Sequence, residues 1–216
     1  MNTPRPINVY AELTPNPNSM KFVSNVLLLE GGTVEYSSRE EAVNCPMAVK
    51  LFEFSGVKKI FITSNFITIT KENDLDWYDL TNIFREFIRG FLMDEDQLFI
   101  GSPFDKNHIP TQTNAVQEAI KPIAIATENE KANEEIIFDP EAEKKIIELL
   151  DEYVRPAVEG DGGAILFKSY ENGVVNVVMK GACNGCPSST VTLKSGIENL
   201  LKQMVPGVKE VVAVGE

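Results

Sequence analysis

The spacing of hydrophobic positions changes several times along the chain, and each change marks a predicted element. Ile7, Val9, Ala11 and Leu13 alternate with Asn8, Tyr10 and Glu12, the period of a half-buried strand. Thr14-Pro15-Asn16-Pro17-Asn18-Ser19 is dense in turn formers, and Met20 to Leu29 reads as one or two further strands. Pro46 suits a first helical position, with Met47, Leu51 and Phe52 on one face and Gly56 as the stop. Val57 to Thr63 and Phe66 to Lys71 form a hairpin closed by Ser64-Asn65. Trp77, Leu80, Phe84, Phe87, Ile88 and Phe91 recur at helical spacing, which predicts an amphipathic helix over about 75–93. Strands with two helices predict an α+β domain over residues 1–104, built on a mixed β-sheet.

Between 105 and 138 the periodicity is lost. Apart from Ile120, Ile123 and Ile125 the segment is polar and rich in Glu, Asn and Lys, too little apolar surface to offset chain entropy. It reads as a flexible acidic linker with a mean span of about 30 Å, which predicts two domains that move independently.

From 139 to 216 the signals sharpen. Asp139-Pro140 is an N-cap followed by Pro at the first helical position. Ile146, Ile147, Leu150, Tyr153, Val154 and Ala157 make one helical face, and Gly160-Asp161-Gly162-Gly163 turns the chain. Ala164 to Tyr170 and Val174 to Lys180 are strands joined by Glu171-Asn172-Gly173, a strong hairpin signal. Pro187 opens a second helix with Leu193, Ile197, Leu200, Leu201 and Met204 on its face, and Val208 to Val214 is a last strand. The order is α-β-β-α-β, so the whole chain is α+β with two small domains.

Composition narrows the possible functions. Of 216 residues, 43% are hydrophobic and 24% charged, an ordinary globular balance. Twenty basic against 32 acidic residues give a net charge of -12 with no Lys/Arg run, which argues against nucleic acid as a partner. No apolar stretch is long enough for a spanning helix and no secretory signal opens the chain. The sequence therefore predicts a cytoplasmic protein without a membrane partner.

Three cysteines are too few for a disulfide scaffold, and a single histidine excludes a site needing two His from one chain. Cys183-Asn184-Gly185-Cys186 lies between a strand and a helix start, where the helix dipole stabilises thiolate charge. Two thiolates cannot close a tetrahedral zinc site or hold a cubane, each of which takes about four ligands. Three readings stay open: a redox dithiol, a pair joined by Cys45 or His108, or two copies sharing one four-thiolate centre across a two-fold axis. Cys45, in Asn44-Cys45-Pro46, reads as a buried structural thiol, and His108 as a linker residue. Gly160 to Gly163 precedes a strand rather than a helix, so it reads as a structural turn and not as a phosphate loop.

Two stretches carry a resemblance. Leu150-Asp151-Glu152-Tyr153-Val154-Arg155-Pro156, Gly160-Asp161-Gly162-Gly163, and Cys183-Asn184-Gly185-Cys186-Pro187-Ser188-Ser189 with Thr192-Leu193-Lys194 and Gly196-Ile197-Glu198 resemble the NifU C-terminal (Nfu) domain. Thr14-Pro15-Asn16-Pro17-Asn18-Ser19-Met20-Lys21-Phe22 and Gly56-Val57 with Ser64-Asn65-Phe66-Ile67-Thr68 resemble the Nfu N-terminal domain. The resemblance implies an iron–sulfur cluster carrier rather than an enzyme. Cys183 and Cys186 of two protomers would bind one labile 4Fe–4S cluster (2Fe–2S being the other type) in a homodimer. An upstream donor would supply the cluster, and apo iron–sulfur clients would receive it. No cysteine set matches the scaffold or ferredoxin-like domains of full-length NifU, which favours carriage over assembly de novo. The alternatives are a thiol–disulfide oxidoreductase and a dimeric four-thiolate zinc module.

Overall fold

The computed structural model describes residues 6–94, 97–104, 140–184 and 187–214, with the side chains of 187–190 excepted. The linker reading of 105–138, the cap at Asp139, His108 and Cys186 lie outside the described residues.

The first half folds as β1 (Val9–Leu13), β2 (Ser19–Ser24), β3 (Thr33–Tyr36), α1 (Pro46–Leu51), β4 (Val57–Thr63), β5 (Phe66–Lys71) and α2 (Trp77–Met93). The five strands form one sheet in the order β1-β2-β5-β4-β3. The sequence predicted a mixed sheet here, yet every neighbouring pair runs antiparallel. Parallel pairing needs a long crossover, and β4 and β5 are instead joined by a two-residue turn with Ser64 at φ 36°. α2 starts on Asp76, whose carboxylate accepts from the Tyr78 N–H, and it buries Phe84, Ile88 and Phe91 against the sheet. Phe22, Trp77, Phe84 and Phe54 meet edge to face at centroid distances of 5.2–6.5 Å. Strand β3, with Val34 and Tyr36 facing inward, was not expected from the sequence.

The second half follows as α3 (Pro140–Leu149), a π turn (Leu150–Val154), α4 (Arg155–Gly160), β6 (Gly163–Glu171), β7 (Val174–Gly181), α5 (Pro187–Met204) and β8 (Glu210–Ala213). The expected hairpin is present, its turn made by Asn172 and Gly173 at φ 53° and 87°. β7 and β8 pair in parallel because α5 supplies the crossover between them, so the mixed sheet is the three-stranded one, β6-β7-β8.

The first helix of this half departs from the expected face. Ile147, Tyr153 and Ala157 are exposed, whereas Ala142, Ile146, Leu150, Val154 and Val158 are buried, one every four residues. A regular α-helix gains 100° per residue, so a four-residue stripe drifts by about 40° at each step. The π turn winds more slowly and keeps the stripe on one face. Within it the Arg155 N–H reaches back five residues to the Leu150 carbonyl, and Pro156, which follows, has no N–H to place. On α5, Ile197 and Leu201 are buried, Leu193 and Leu200 partly so, and Met204 is exposed.

The two halves touch. Phe61 and Phe66 point away from the N-terminal core and pack with Val23 against Ala164 of β6. The Thr68 hydroxyl donates to the Gly162 carbonyl at 2.7 Å, a buried hydrogen bond between the halves. The sequence leads us to expect domains free to move independently; in the structure the N-terminal sheet is seated on the second half.

Candidate metal centre

Cys183 lies just beyond the end of β7, in the loop that leads to the N-terminus of α5. It is a thiol, and it is 3% exposed. The loop is tightly turned: Gly181 has φ 66°, the Ala182 N–H donates to the Gly162 carbonyl, and the Asn184 N–H donates to the Gly181 carbonyl.

The Gly162-Gly163 pair makes room for the sulfur. A Cβ on Gly163 would lie 2.8 Å from Cys183 Sγ and 2.6 Å from the Lys180 carbonyl oxygen, both closer than real atoms approach. Gly162 has φ 80°, and a Cβ there would press on Thr14, Lys21 and Thr68 of the other half at 3.1–3.3 Å. The glycines expected to serve as a turn thus also form one wall of the cysteine site.

A cleft of about 340 Å³ opens at Cys183, lined by Asp161, Ala182, Thr192 and Leu193 from the second half and by Pro15 and Asn16 from the first. The Thr14–Ser19 turn that forms this second wall is braced internally. The Thr14 hydroxyl donates to the carbonyls of Asn16 and Ser19, the Asn18 N–H donates to Asn16 Oδ1, and Trp77 Nε1 donates to the Pro17 carbonyl. With its oxygen used inside the turn, the Asn16 amide directs Nδ2 to the Ala182 carbonyl at 3.1 Å. From the far edge of the sheet, Glu35 Oε2 accepts the Gly181 N–H at 2.6 Å, and Glu35 Oε1 accepts Asn184 Nδ2 at 3.3 Å. Lys59 Nζ lies 3.4 Å from the same carboxylate, and Lys21 Nζ donates to the Gly160 carbonyl at 3.4 Å.

Of the predicted site residues, Cys183 stands at this cleft, while Cys186 is outside the described residues. Cys45 is elsewhere, fully buried in the N-terminal core at the start of α1. Burial pushes its thiol up to about 12, so near neutral pH it holds its proton and is a poor ligand. No group of three or more His, Cys, Asp or Glu side chains placed to hold a metal occurs among the described residues. The donor at the cleft is the soft sulfur of Cys183 at a helix entry, a type that suits iron or zinc and not a hard oxygen-seeking cation.

Sequence reasoning missed Asn16, Glu35, Phe61, Phe66 and Thr68. A signal existed for the aromatics: Ile60-Phe61-Ile62 and Phe66-Ile67 are continuous apolar runs, the mark of strands covered on both faces.

Comparison with known proteins agrees with this layout. Residues 9–95 match the family model described as scaffold protein Nfu/NifU N terminal, and residues 146–212 match the NifU-like domain. A Homo sapiens protein named "NFU1 iron-sulfur cluster scaffold homolog, mitochondrial" is 37% identical over 202 residues, covering 93% of this chain and 69% of the relative. An Arabidopsis thaliana protein named "NifU-like protein 4, mitochondrial" is 34% identical over 209 residues, covering 96% of this chain and 66% of the relative. The chain thus spans about two thirds of the length of these curated relatives. A solution structure of a NifU-like protein from Saccharomyces cerevisiae aligns with 47% of this chain and 92% of its own at 23% identity and TM-score 0.42. With both family models matched in order, one on the half that holds the Thr14–Ser19 turn and one on the half that holds the cysteine pair, the chain belongs to the Nfu/NifU family.

Proposed function

We propose that this protein carries an iron–sulfur cluster as cargo and passes it to apo-proteins. The observation that carries the reading is the placement of Cys183 in a shaped cleft before α5, within a chain whose relatives are named as iron–sulfur cluster scaffolds. In this proposal Cys183 and Cys186 of two copies supply four thiolates to one 4Fe–4S cluster. The C-terminal sheet fixes the loop, the cleft sets the access route, and the dipole of α5 stabilises thiolate charge where the chain enters the helix.

Transfer proceeds by ligand exchange. A client thiol loses its proton and bonds to iron, the bond from iron to a carrier cysteine breaks, and that cysteine takes up a proton. No net oxidation or reduction accompanies the step, and nothing in it calls for a catalytic residue.

Anaerobic reconstitution with iron and sulfide tests the reading. The expected product is a brown dimer with about two irons and two sulfides per protomer, lost in Cys183→Ala. A colourless product would remove the cluster reading: zinc on four thiolates would favour a structural module, and a metal-free monomer with an active dithiol would favour an oxidoreductase.

A further inference from the structure

The N-terminal half holds the Cys183 loop at three points. Glu35 accepts from the Gly181 N–H and the Asn184 amide, and Asn16 Nδ2 donates to the Ala182 carbonyl, so the residues on both sides of the cysteine are held from the other half of the chain. The same half supplies Pro15 and Asn16 as one wall of the cleft. The contact mixes an apolar patch of Phe61, Phe66, Val23 and Ala164 with polar links from Lys21, Glu35, Asn16 and Thr68. Interfaces of that composition within one chain are of the kind that separate and re-form, because the polar groups regain water when they part. The Glu35 side chain is 8% exposed, yet its carboxylate would be readily hydrated once the halves separate.

We infer that the N-terminal half is a docked lid on Cys183, with Glu35 and Asn16 as its latch. Docked, it withholds the thiol from other molecules. Undocked, it opens the Cys183 side of the cleft to a second copy or to a client. Access to the thiol follows from the geometry whether or not a cluster is carried; only the consequence for transfer rests on the carrier reading.

Alkylation of the full chain tests the latch without any cluster. In a Cys186→Ser background, Cys183 is the remaining thiol of its loop. Cys45, fully buried in the N-terminal core, reports unfolding of that half in the same sample. Iodoacetamide is applied under native conditions and each site is read by peptide mass spectrometry. Glu35→Ala removes the acceptor for Gly181 and Asn184. Asn16→Asp keeps the oxygen that accepts from Asn18 and sets a carboxylate oxygen against the Ala182 carbonyl in place of a donor. Each substitution should speed Cys183 alkylation about tenfold and leave Cys45 unchanged. The lid is refuted if both variants stay within twofold of the parent, if Cys45 accelerates in step with Cys183, or if the parent thiol already reacts as fast as an unfolded cysteine peptide. Loss of cluster binding in the earlier reconstitution would leave this result untouched, so the two readings fail separately.

Discussion

Gly163→Ala is the sharpest probe of how the cysteine site is built, because one methyl group meets both the sulfur and the backbone beside it. An ideal Cβ at this position lies 2.6 Å from the Lys180 carbonyl oxygen, 2.8 Å from Cys183 Sγ and 3.2 Å from Cys183 Cβ. The thiol can rotate away, but the carbonyl belongs to the β6–β7 ladder, where Gly163 stands opposite Gly181, and can move only with the strand. Overpacking of this kind costs about 1–3 kcal/mol. In a domain of about 60–100 residues each kilocalorie shifts Tm by roughly 4–8 °C, so the C-terminal half should melt roughly 5–20 °C lower. Far-UV circular dichroism reads that transition, while Trp77 fluorescence reads the N-terminal half, which should stay near its original Tm. Gly160→Ala, three residues earlier and in α4, is the control. Its Cβ meets nothing within 4 Å, so it should be neutral or stabilise by up to about 0.5–1 kcal/mol. The iodoacetamide rate at Cys183 should also change in Gly163→Ala and not in Gly160→Ala. If Gly163→Ala melted within 2 °C of the parent with Cys183 equally reactive, the steric account of the site would be wrong.

Two further outcomes are expected. Thr68→Val keeps the side-chain shape but removes the hydroxyl that donates to Gly162, whose carbonyl retains the Ala182 N–H. Coupling between the halves should weaken by about 0.5–1.5 kcal/mol, seen as divergence of the Trp77 and circular-dichroism transitions, and coincident transitions in parent and variant alike would count against it. The N-terminal half should lose stability in alkali. Burial raises the Cys45 thiol from about 9 to about 12, so the folded state holds a proton that the unfolded state releases. That contribution is intact below about pH 9 and falls by roughly 1.4 kcal/mol per pH unit as pH climbs toward about 12. Tyr36, whose hydroxyl donates to Asn44 beside Cys45, is also raised, chiefly by burial, and acts in the same direction. Melting by Trp77 fluorescence between pH 8 and 11 should therefore show a shallower slope in Cys45→Ala, and a parallel slope would refute the assignment to this thiol.

Local signals carried the fold a long way. The β4–β5 hairpin and its Ser64-Asn65 turn, helix α2, the Asn172-Gly173 turn and the α-β-β-α-β order all lie where side-chain period and turn chemistry place them, because each depends on residues close in sequence. β3 is short and follows the tight turn at Gly31 and Gly32, so its inward pair, Val34 and Tyr36, gives too few alternations to stand out. The antiparallel order of the first sheet depends on which strands meet, and period does not encode that. At the site, the CxxC motif points to Cys183 directly. Asn16, Glu35 and Thr68 carry no such mark. They are ordinary polar residues on a turn and on strands, and only the seating of one half upon the other, across up to 166 residues of sequence, turns them toward the cysteine loop.

The stripe of Ala142, Ile146, Leu150, Val154 and Val158 stays on one face because the π turn absorbs one extra residue. An α-helix that gains one residue without shifting its ends becomes a helix with a π turn, and losing that residue reverses the change. Deleting Asp151 or Glu152, both exposed and without a packing role of their own, would therefore rewind the segment as α-helix. Val154 and Val158 would keep their face, because three α-helical steps from Leu150 turn about 300° and bring the chain back to the side that the slower π steps now reach. The segment can thus shed one residue and still present the same stripe to the core. In this stretch a one-residue gap in an alignment would mark the loss of the π turn and not the loss of the buried face.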